Sequence, residues 1–287
     1  MSPRAKARLL IVLAALFWST NGLILKSLPE VHWLAITGMR ALFASLLFLP
    51  GAGRMRVPLP KLLLAIFLYA LLTSTLMGSM QLGTAAQGIW LQYIAPAVLA
   101  LWAYFVSRQR LRSYEIAAVI LTTIAIVVIA GGGGSADQEK SLILGLISGV
   151  GFAFFVLVLK TLDTLPPASI HLWLNLGAAA LLLSAAVALH ISLPTAPREL
   201  LLLAVMGMGQ LALGYYCFQS AIAGASAVEA SIILLLEPIL NPIWVYLVHG
   251  EIPTPRVMLG CGIIAVALII FALGPVWRDA AKIEPPA

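Results

Sequence analysis

Charged residues are scarce in this sequence, and that scarcity excludes a water-soluble globule. Asp, Glu, Lys and Arg make up only 10% of the 287 residues, whereas soluble domains carry about 25%. Hydrophobic residues reach 62%, and the mean hydropathy is +1.04. We therefore expect the chain to lie in a lipid bilayer, with apolar surface facing acyl chains and the seams between helices.

Residues that support catalysis or metal binding are also few. The two cysteines, Cys217 and Cys261, both lie in apolar runs, so neither a disulfide framework nor a C-x-x-C metal site is expected. The sequence contains no zinc-protease, phosphate-loop, dinucleotide-binding or nucleophile-elbow motif. We therefore expect no cofactor, no metal ion and no enzymatic activity. The net charge of +6 does not indicate nucleic acid, because the basic residues lie in short loops.

Ten apolar segments have the roughly 20 residues that a helix needs to cross the hydrocarbon core. Turn-forming sequences separate most of them. The first segment follows three basic residues, as in a signal peptide, but it continues to Leu28 without a small-residue cleavage site, so we interpret it as a retained span. The predicted spans are 8–27, 32–50, 60–81, 84–106, 113–130, 141–160, 168–190, 199–221, 226–248 and 256–276.

The loops between these spans carry an uneven distribution of basic residues. With the N-terminus in the cytoplasm, twelve fall on the inner side and four on the outer side, a strong positive-inside bias. We therefore predict a multi-pass protein of the cell inner membrane with both termini in the cytoplasm. The inner residues are Arg4, Lys6, Arg8, Arg54, Arg56, Lys61, Arg108, Arg110, Arg112, Lys160, Arg278 and Lys282, and the outer ones are Lys26, Lys140, Arg198 and Arg256.

Two membrane-length stretches resemble each other at a constant offset of 142. They are TAAQGIWLQYIAPAVLALWAYFV from Thr84 and SAVEASIILLLEPILNPIWVYLV from Ser226. A second similarity, at an offset of 134, pairs Lys26 with Lys160. Repeated halves with a proline in mid-segment are typical of secondary transporters. Chance resemblance between Leu-rich segments is the alternative.

The repeat and the charges together predict the fold class. A half with five spans crosses the membrane an odd number of times, so the second half is inserted upside down relative to the first. We predict an all-α polytopic membrane protein with ten transmembrane helices as a five-plus-five inverted-topology repeat. Residues 1–130 form the first repeat, 131–140 a Gly-rich extracytoplasmic linker, and 141–287 the second repeat.

Three charged residues fall at bilayer depth, where charges are rare and indicate function by default. Arg40 lies in the second span, and Glu229 and Glu237 lie in the ninth. One hypothesis pairs Glu237 with Arg40 across the bundle, which favours a zwitterionic solute. A Glu237 without that partner favours a cation instead. A structural ion pair or a contact at a helix break is the alternative to both.

Prolines interrupt the repeated segments at equivalent positions. Pro96 and Pro238, with the nearby Pro242, leave the carbonyls four residues earlier without a backbone donor. Irregular backbone at this depth is tolerated only against protein or a water-filled cavity. We therefore predict that Pro96 and Pro238 are paired hinges beside a cavity, and the alternative is a kink that improves packing.

Aromatic and amide side chains in mid-span are the candidate substrate ligands. Within each span their spacing of three or four residues places them on a shared helix face. A cavity lined by aromatics with a few amides suits a small amphipathic solute, whereas packing between helices is the alternative. The candidates are Trp18 and Asn21 in the first span, Gln87, Trp90 and Tyr93 in the fourth, and Tyr215 and Gln219 in the eighth.

Over nearly its whole length the chain resembles the EamA branch of the drug/metabolite transporter superfamily. The resemblance is carried by SAVEASIILLLEPILNPIWVYLVHGE and the glycine-containing last span. The first half departs from the pattern, since Ala95 precedes its proline and Gln109 stands where the second half has Glu251. The resemblance implies a five-plus-five inverted repeat, alternating access, and a cavity between spans 1–4 and 6–9. Within the branch, the aromatic content is most similar to the YddG-type exporters of aromatic and other neutral amino acids.

The sequence thus predicts a secondary transporter that exports small solutes, foremost aromatic or neutral amino acids, across the inner membrane. Its expected partners are the small-molecule substrate and the lipid bilayer. The same fold carrying another metabolite or a cationic drug is the first alternative. A membrane-embedded enzyme lacks the acid, base or metal ligands it needs, and a passive channel would conduct without saturating. The oligomeric state is left open.

Overall fold

The computed structural model of the chain describes residues 2–51, 58–131, 135–162, 166–221, 224–225 and 227–281. Within these ranges the regular elements are all helices. Several residues that entered the topology prediction lie outside them, namely Arg54, Arg56, Lys282, Ser226 and residues 132–134 of the predicted linker.

The helices follow one another with short connections. In chain order they are α1 (Pro3–Ser19), α2 (Asn21–Lys26), α3 (Trp33–Phe48), α4 (Leu59–Leu82), α5 (Ala85–Gln92), α6 (Ala95–Phe105), α7 (Ser113–Ala130), α8 (Ala136–Leu159), α9 (Pro167–Ala188), α10 (Pro197–Ala204), α11 (Leu213–Ala221), α12 (Ala227–Leu234), α13 (Leu236–His249) and α14 (Pro255–Ala281). A π-helical segment, Val205–Ala212, joins α10 to α11, and single 3₁₀ turns occupy Leu49–Gly51 and Lys160–Leu162.

In the described ranges, nine helices are long and apolar enough to cross a membrane. The apolar helix α3 is shorter, with 16 residues. These helices fall on the ten predicted segments, but the count of ten spans stays a prediction because α3 is below membrane length. Two helices begin several residues before the predicted spans, because Ser2 and Ser135 cap polar first turns through the backbone N–H groups of Ala5 and Gln138.

Three of the long helices are broken within the bundle. The breaks lie at Thr20 between α1 and α2, at Tyr93 and Ile94 between α5 and α6, and at Leu235 between α12 and α13. The last two occur at equivalent positions of the repeat, each just before the proline of that segment. The break at Thr20 has no proline and was not predicted.

The packing follows the repeat. The helix pairs α4 with α8 and α1 with α11 are both close, and each pair becomes the other when the two halves are exchanged. Three further contacts each join a helix to its own equivalent in the other half, so the exchange leaves them unchanged. They are α3 with α9, α7 with α14, and α5 with α13. Every one of these interfaces joins a helix of the first half to a helix of the second, so the two halves share one interior.

The two equivalent interfaces, α4 with α8 and α1 with α11, differ in the size of the side chains that fill them. Between α8 and its neighbours α4 and α5, glycines permit close approach, since a Cβ on Gly145 would lie 2.6 Å from Leu91 Cδ1. Ser79 donates a hydrogen bond to the Ser141 carbonyl in the same seam, at 2.7 Å. The seam between α1 and α11 instead holds large aromatic side chains. This second seam contains Trp18, Tyr215 and Gln219, three of the predicted substrate ligands.

Ion pairs lie at the two ends of the first span, which consists of α1 and α2. At its start, Arg4 and Arg8 contact Glu229. At its end, Lys26 lies 2.7 Å from Glu251. Glu229 therefore contacts two exposed arginines near the start of α1, and its depth in the bilayer stays a prediction. The hydropathy of span 226–248 could not show that its first turn meets the N-terminal basic cluster.

Candidate functional site

The break after Ser19 places Trp18 and Asn21 in the interior. Ser19 and Thr20 donate their side-chain hydroxyls to the carbonyls of Leu16 and Phe17, at 2.8 and 2.7 Å. These local bonds compete with the regular helix ladder and favour a bend. Helix α2 then restarts at Asn21, which is buried. A short polar sequence, Ser-Thr-Asn, thus turns the first span at mid-depth.

Arg40 is the central charged residue of the site. It is only 3% exposed and lies halfway along α3. Its Nη1 donates a hydrogen bond of 3.0 Å to Asn21 Oδ1, while its Nε has no hydrogen-bond partner. None of the ion pairs in the described part of the chain includes Arg40. Among the hydrogen bonds of the described residues, the guanidinium is therefore held inside the bundle by a neutral amide.

Aromatic rings form one wall of this region. Trp18 meets Tyr215 edge to face, with ring centroids 5.0 Å apart, and lies 5.7 Å from Phe218. Tyr215 in turn lies 4.2 Å from His171. The indole Nε1 of Trp18 and the Nδ1 of His171 have no hydrogen-bond partners among the residues that the structure describes. The wall thus combines apolar ring surface with unused polar atoms.

The π-helical segment brings a further amide to the wall. Gln210 is buried and donates its Nε2 to the Trp18 carbonyl at 3.3 Å, while its Oε1 has no partner. Gly207 packs so closely on α3 that a Cβ there would meet the Arg40 carbonyl. π-Helical turns are rare and occur often at functional sites. Gln210 was missed by the sequence analysis, although an amide after two glycines in an apolar span was a usable signal.

A second polar group lies where the paired helix breaks face each other. The Tyr93 hydroxyl donates to Glu237 Oε2 at 2.8 Å and also approaches the Leu234 carbonyl at 3.4 Å. That carbonyl is the one left without its backbone donor by Pro238, as the sequence predicted. Nearby, the buried Asn241 has no partner for either amide atom.

Tyr215 connects the two groups. Its hydroxyl lies within electrostatic range of both Arg40 and Glu237. The structure thus brings together Trp18, Asn21, Arg40 and Tyr215, and places Tyr93 and Glu237 within range of the same tyrosine. Gln219 lies one turn after Tyr215 on the same face of α11. Its role stays a prediction.

The hypothesis that Arg40 pairs with Glu237 is wrong for this conformation. Arg40 binds Asn21, and Glu237 accepts its hydrogen bond from Tyr93. The sequence could place both charges at mid-depth, but it could not show the side-chain amide and hydroxyl that lie closer to each of them.

Two of the predicted substrate ligands lie elsewhere. Gln87 donates its side chain to Ser141 Oγ at 3.2 Å and lines a cavity of about 770 Å³ near the starts of α5, α8 and α14. Trp90 lines an apolar pocket of about 520 Å³ between α5, α13 and α14. The ring of Trp90 lies 6.3 Å from that of Tyr93, between centroids, and Tyr93, at the helix break, reaches the polar group around Glu237. The substrate-binding roles of Gln87 and Trp90 stay predictions.

Both predicted hinge prolines occupy first turns of restarted helices. Pro96 is the second residue of α6, and Pro238 is the third residue of α13. They therefore follow the breaks and do not kink a continuous helix. In the described ranges, no group of three or more His, Cys, Asp or Glu side chains could hold a metal ion.

Breaks, orphaned polar atoms and buried charges in a bundle of apolar helices define a polytopic membrane transporter. A sequence model of the EamA-like transporter family matches residues 5–131 and 139–273. The chain belongs to that family, whose members transport small solutes and are not enzymes. None of the curated proteins compared with the chain matches it.

A solved structure supports the fold. One crystal structure aligns with 94% of this chain and 98% of its own, with a TM-score of 0.67 and 18% sequence identity. At this identity the likeness concerns the fold alone, so substrate and direction of transport must be argued from the site.

Proposed function

We propose that the chain exports amino acids, foremost aromatic or other neutral ones, across the inner membrane by alternating access. The observation that carries this proposal is the interior wall of Trp18 and Tyr215 beside Arg40 and Asn21. Aromatic rings supply surface for an apolar side chain, and unpaired polar atoms supply hydrogen bonds for the charged end of a small solute. The site lies between helices of the two halves, where secondary transporters bind their cargo.

The packing supports alternating access around this site. The proposed inverted repeat of ten spans, with halves 1–130 and 141–287 joined by 131–140, is consistent with interfaces that interchange when the halves are exchanged. In this proposal the helices after the breaks, α6 and α13, tilt about Pro96 and Pro238. Two bundles of similar construction can then rock about one interior site. Export and the inner membrane are parts of the same proposal and rest on the resemblance to YddG-type exporters. The cytoplasmic termini rest on the positive-inside distribution of basic residues.

Counterflow in proteoliposomes tests the proposal. Purified protein is reconstituted with unlabelled phenylalanine or tryptophan inside, and labelled amino acid is supplied outside. We expect saturable uptake that other neutral amino acids inhibit, and a weaker apparent affinity in variants Trp18→Ala and Tyr215→Ala. Tyr216→Phe, an exposed residue of the same helix, serves as control. Absence of exchange in a folded preparation rejects the amino-acid assignment and leaves the family assignment intact.

A second candidate cargo is a cationic metabolite or drug. It is favoured by Glu237, which accepts from Tyr93 and belongs to none of the ion pairs of the described residues. A carboxylate in the interior can balance a cationic solute. If the wild type transports cations and does not exchange amino acids, and Glu237→Gln abolishes that transport, the second candidate replaces the first.

A further inference from the structure

We propose that Arg40 is the anchor for a carboxylate group of the transported solute, so that the cargo is a zwitterion or an organic acid. The inference rests on the proposed function, because it assigns the polar end of the amino acid within the same site. Its starting point is the charge itself: Arg40 lies halfway along an apolar helix and is 3% exposed. A buried charge without an opposite charge is strongly unfavourable.

The neighbours of Arg40 position its side chain without neutralising it. Asn21 Oδ1 accepts from Nη1, and the Asn21 amide nitrogen faces Met80 Sδ at 3.9 Å. Tyr69 and Tyr215 lie within electrostatic range of the guanidinium, and Tyr69 donates its hydroxyl to Asn175. Each of these groups is neutral as an amide or a phenol. The compensating anion is therefore supplied by something other than these side chains.

The orientation of the guanidinium fits a carboxylate. Guanidinium groups bind carboxylates through two parallel N–H donors. Asn21 occupies Nη1, which leaves the edge formed by Nε and Nη2, and Nε is the buried atom without a partner. In this proposal Asn21 is a positioning residue, which holds Nη1 and leaves the bidentate edge for the solute, and Arg40 is the group that binds.

The rest of the wall accommodates the other parts of an amino acid. The side chain can lie against the rings of Trp18 and Tyr215, which are 5.0 Å apart. The unpaired Oε1 of Gln210 is an acceptor for an ammonium group, and Glu237 lies within electrostatic range of Tyr215.

Three ligands with the same phenyl ring test the inference. Phenylalanine carries both charges, 3-phenylpropionate lacks the ammonium group, and phenethylamine lacks the carboxylate. Binding is measured by the ligand-induced shift in thermal unfolding of detergent-solubilised protein, and transport by counterflow. For the wild type we expect phenylalanine and 3-phenylpropionate to bind and to inhibit exchange, and phenethylamine to bind more weakly by about tenfold or more.

Substitutions of Arg40 then remove the discrimination. In Arg40→Gln, phenylalanine and 3-phenylpropionate lose about tenfold or more in affinity, whereas phenethylamine changes little. Arg40→Lys keeps the charge but not the planar fork, and it gives an intermediate loss. It also keeps the test open if Arg40→Gln fails to fold. Arg198→Gln, an exposed arginine near the start of α10, is the matched control and leaves the ligand order unchanged.

The outcomes separate this inference from the proposed function. If 3-phenylpropionate binds in an Arg40-dependent way but phenylalanine is not exchanged, the carboxylate anchor stands and the amino-acid assignment fails. If phenylalanine is exchanged and the folded Arg40 variants discriminate the three ligands as the wild type does, the anchor is rejected and the amino-acid assignment stands. Binding of phenethylamine alone rejects both.

Discussion

At the scale of single residues, Gly207 sets how closely the π-helical segment approaches Arg40. A Cβ at this position would contact the Arg40 carbonyl and lie 2.7 Å from Phe43 Cβ, so backbone has to move. We expect Gly207→Ala to lower the free energy of unfolding by about 1–3 kcal/mol, as overpacking does. Thermal unfolding in detergent measures the effect.

Gly209 provides the matched control in the same segment. The nearest atom to a Cβ there is Val205 Cγ1, at 3.8 Å, which is ordinary contact. Gly209→Ala is expected to be neutral or stabilising by up to about 1 kcal/mol, because alanine loses less backbone entropy than glycine. Equal unfolding midpoints for the two variants would mean that the close approach to α3 carries no energetic weight.

The hydrogen bond between Tyr93 and Glu237 is a second residue-scale target. Tyr93→Phe removes the O–H donor and leaves the carboxylate without it, which we expect to lower stability by about 1–3 kcal/mol. Tyr216→Phe, at an exposed tyrosine, is expected to have no measurable effect. A double-mutant cycle with Glu237→Ala isolates the pair. If the two single penalties simply add in the double variant, the bond seen at 2.8 Å does not stabilise the protein.

At this scale the sequence predicted well which residues are unusual, and it predicted less well where their side chains point. Trp18, Asn21 and Arg40 stood out because polar and aromatic groups are rare within apolar spans, and the structure brings them together. Gln87 and Trp90 stood out for the same reason but face other seams. Helical spacing defines a face, but the choice of neighbour for that face depends on tertiary packing.

At the scale of helices, the breaks decide which carbonyls are available in the interior. Pro238→Ala supplies an N–H at position 238 that can bond to the Leu234 carbonyl, which now has the Tyr93 hydroxyl at 3.4 Å. We expect the helix to continue through Leu235, with slower hydrogen exchange around position 238. We also expect slower counterflow with unchanged or higher thermal stability, because the variant removes a flexing point without removing packing.

A proline without this role serves as the comparison. Pro167 is the first residue of α9, where a backbone N–H would have no hydrogen-bond partner within the helix in any case. Pro167→Ala is therefore expected to leave counterflow unchanged. If Pro238→Ala transports at the wild-type rate while its exchange slows as described, bending at this break is not part of the transport cycle.

The helix breaks also show how much of the helix geometry could be predicted from the sequence. Proline indicated two of the breaks, at Pro96 and Pro238, because it has no backbone N–H to donate and its ring clashes with the preceding turn. The break at Thr20 and the π-helical segment at Val205–Ala212 had no comparable signal. They depend on serine and threonine hydroxyls that bond locally and on how Gly207 packs against α3, and many unbroken membrane helices contain the same residue types.

At the scale of the whole molecule, hydropathy and charge located the helices, because the bilayer imposes both length and polarity on each span. The offsets of 142 and 134 predicted two halves of similar construction, and the pairs of helices in contact interchange when the two halves are exchanged. The asymmetry between the halves could not be anticipated in this way. The seam of α4 and α8 is closed by small residues, whereas the equivalent seam of α1 and α11 is filled by rings.

The halves also differ in the contacts that hold their ends together. Lys26 at the end of α2 contacts Glu251 and donates to the Gly83 carbonyl at 2.8 Å, and Glu251 accepts from the Ala85 backbone N–H at 2.8 Å. One ion pair thus joins helices of both halves at one end of the bundle. The equivalent positions of the repeat hold Lys160 and Gln109, which cannot form a salt bridge with each other.

Removal of this pair is expected to loosen one end of the molecule. Both side chains are 19% exposed, so we expect Glu251→Gln to lower stability by about 1–3 kcal/mol, between the values for exposed and buried pairs. Lys140 and Asp137, which are 3.7 Å apart and mostly exposed, form the control pair, and Asp137→Asn should cost less than about 0.5 kcal/mol. Hydrogen exchange should rise locally, at the ends of α2 and α4 and the start of α5.

A double-mutant cycle of Lys26→Met with Glu251→Gln decides whether the pair acts as a unit. Coupling makes the double variant less destabilised than the sum of the single variants. Because Gln109 already supplies an amide at the equivalent position of the first half, Glu251→Gln makes the two ends chemically alike. Unchanged stability and unchanged exchange at α2 would show that the end of the bundle is held by packing alone, and the charge difference between the halves would then have no mechanical consequence.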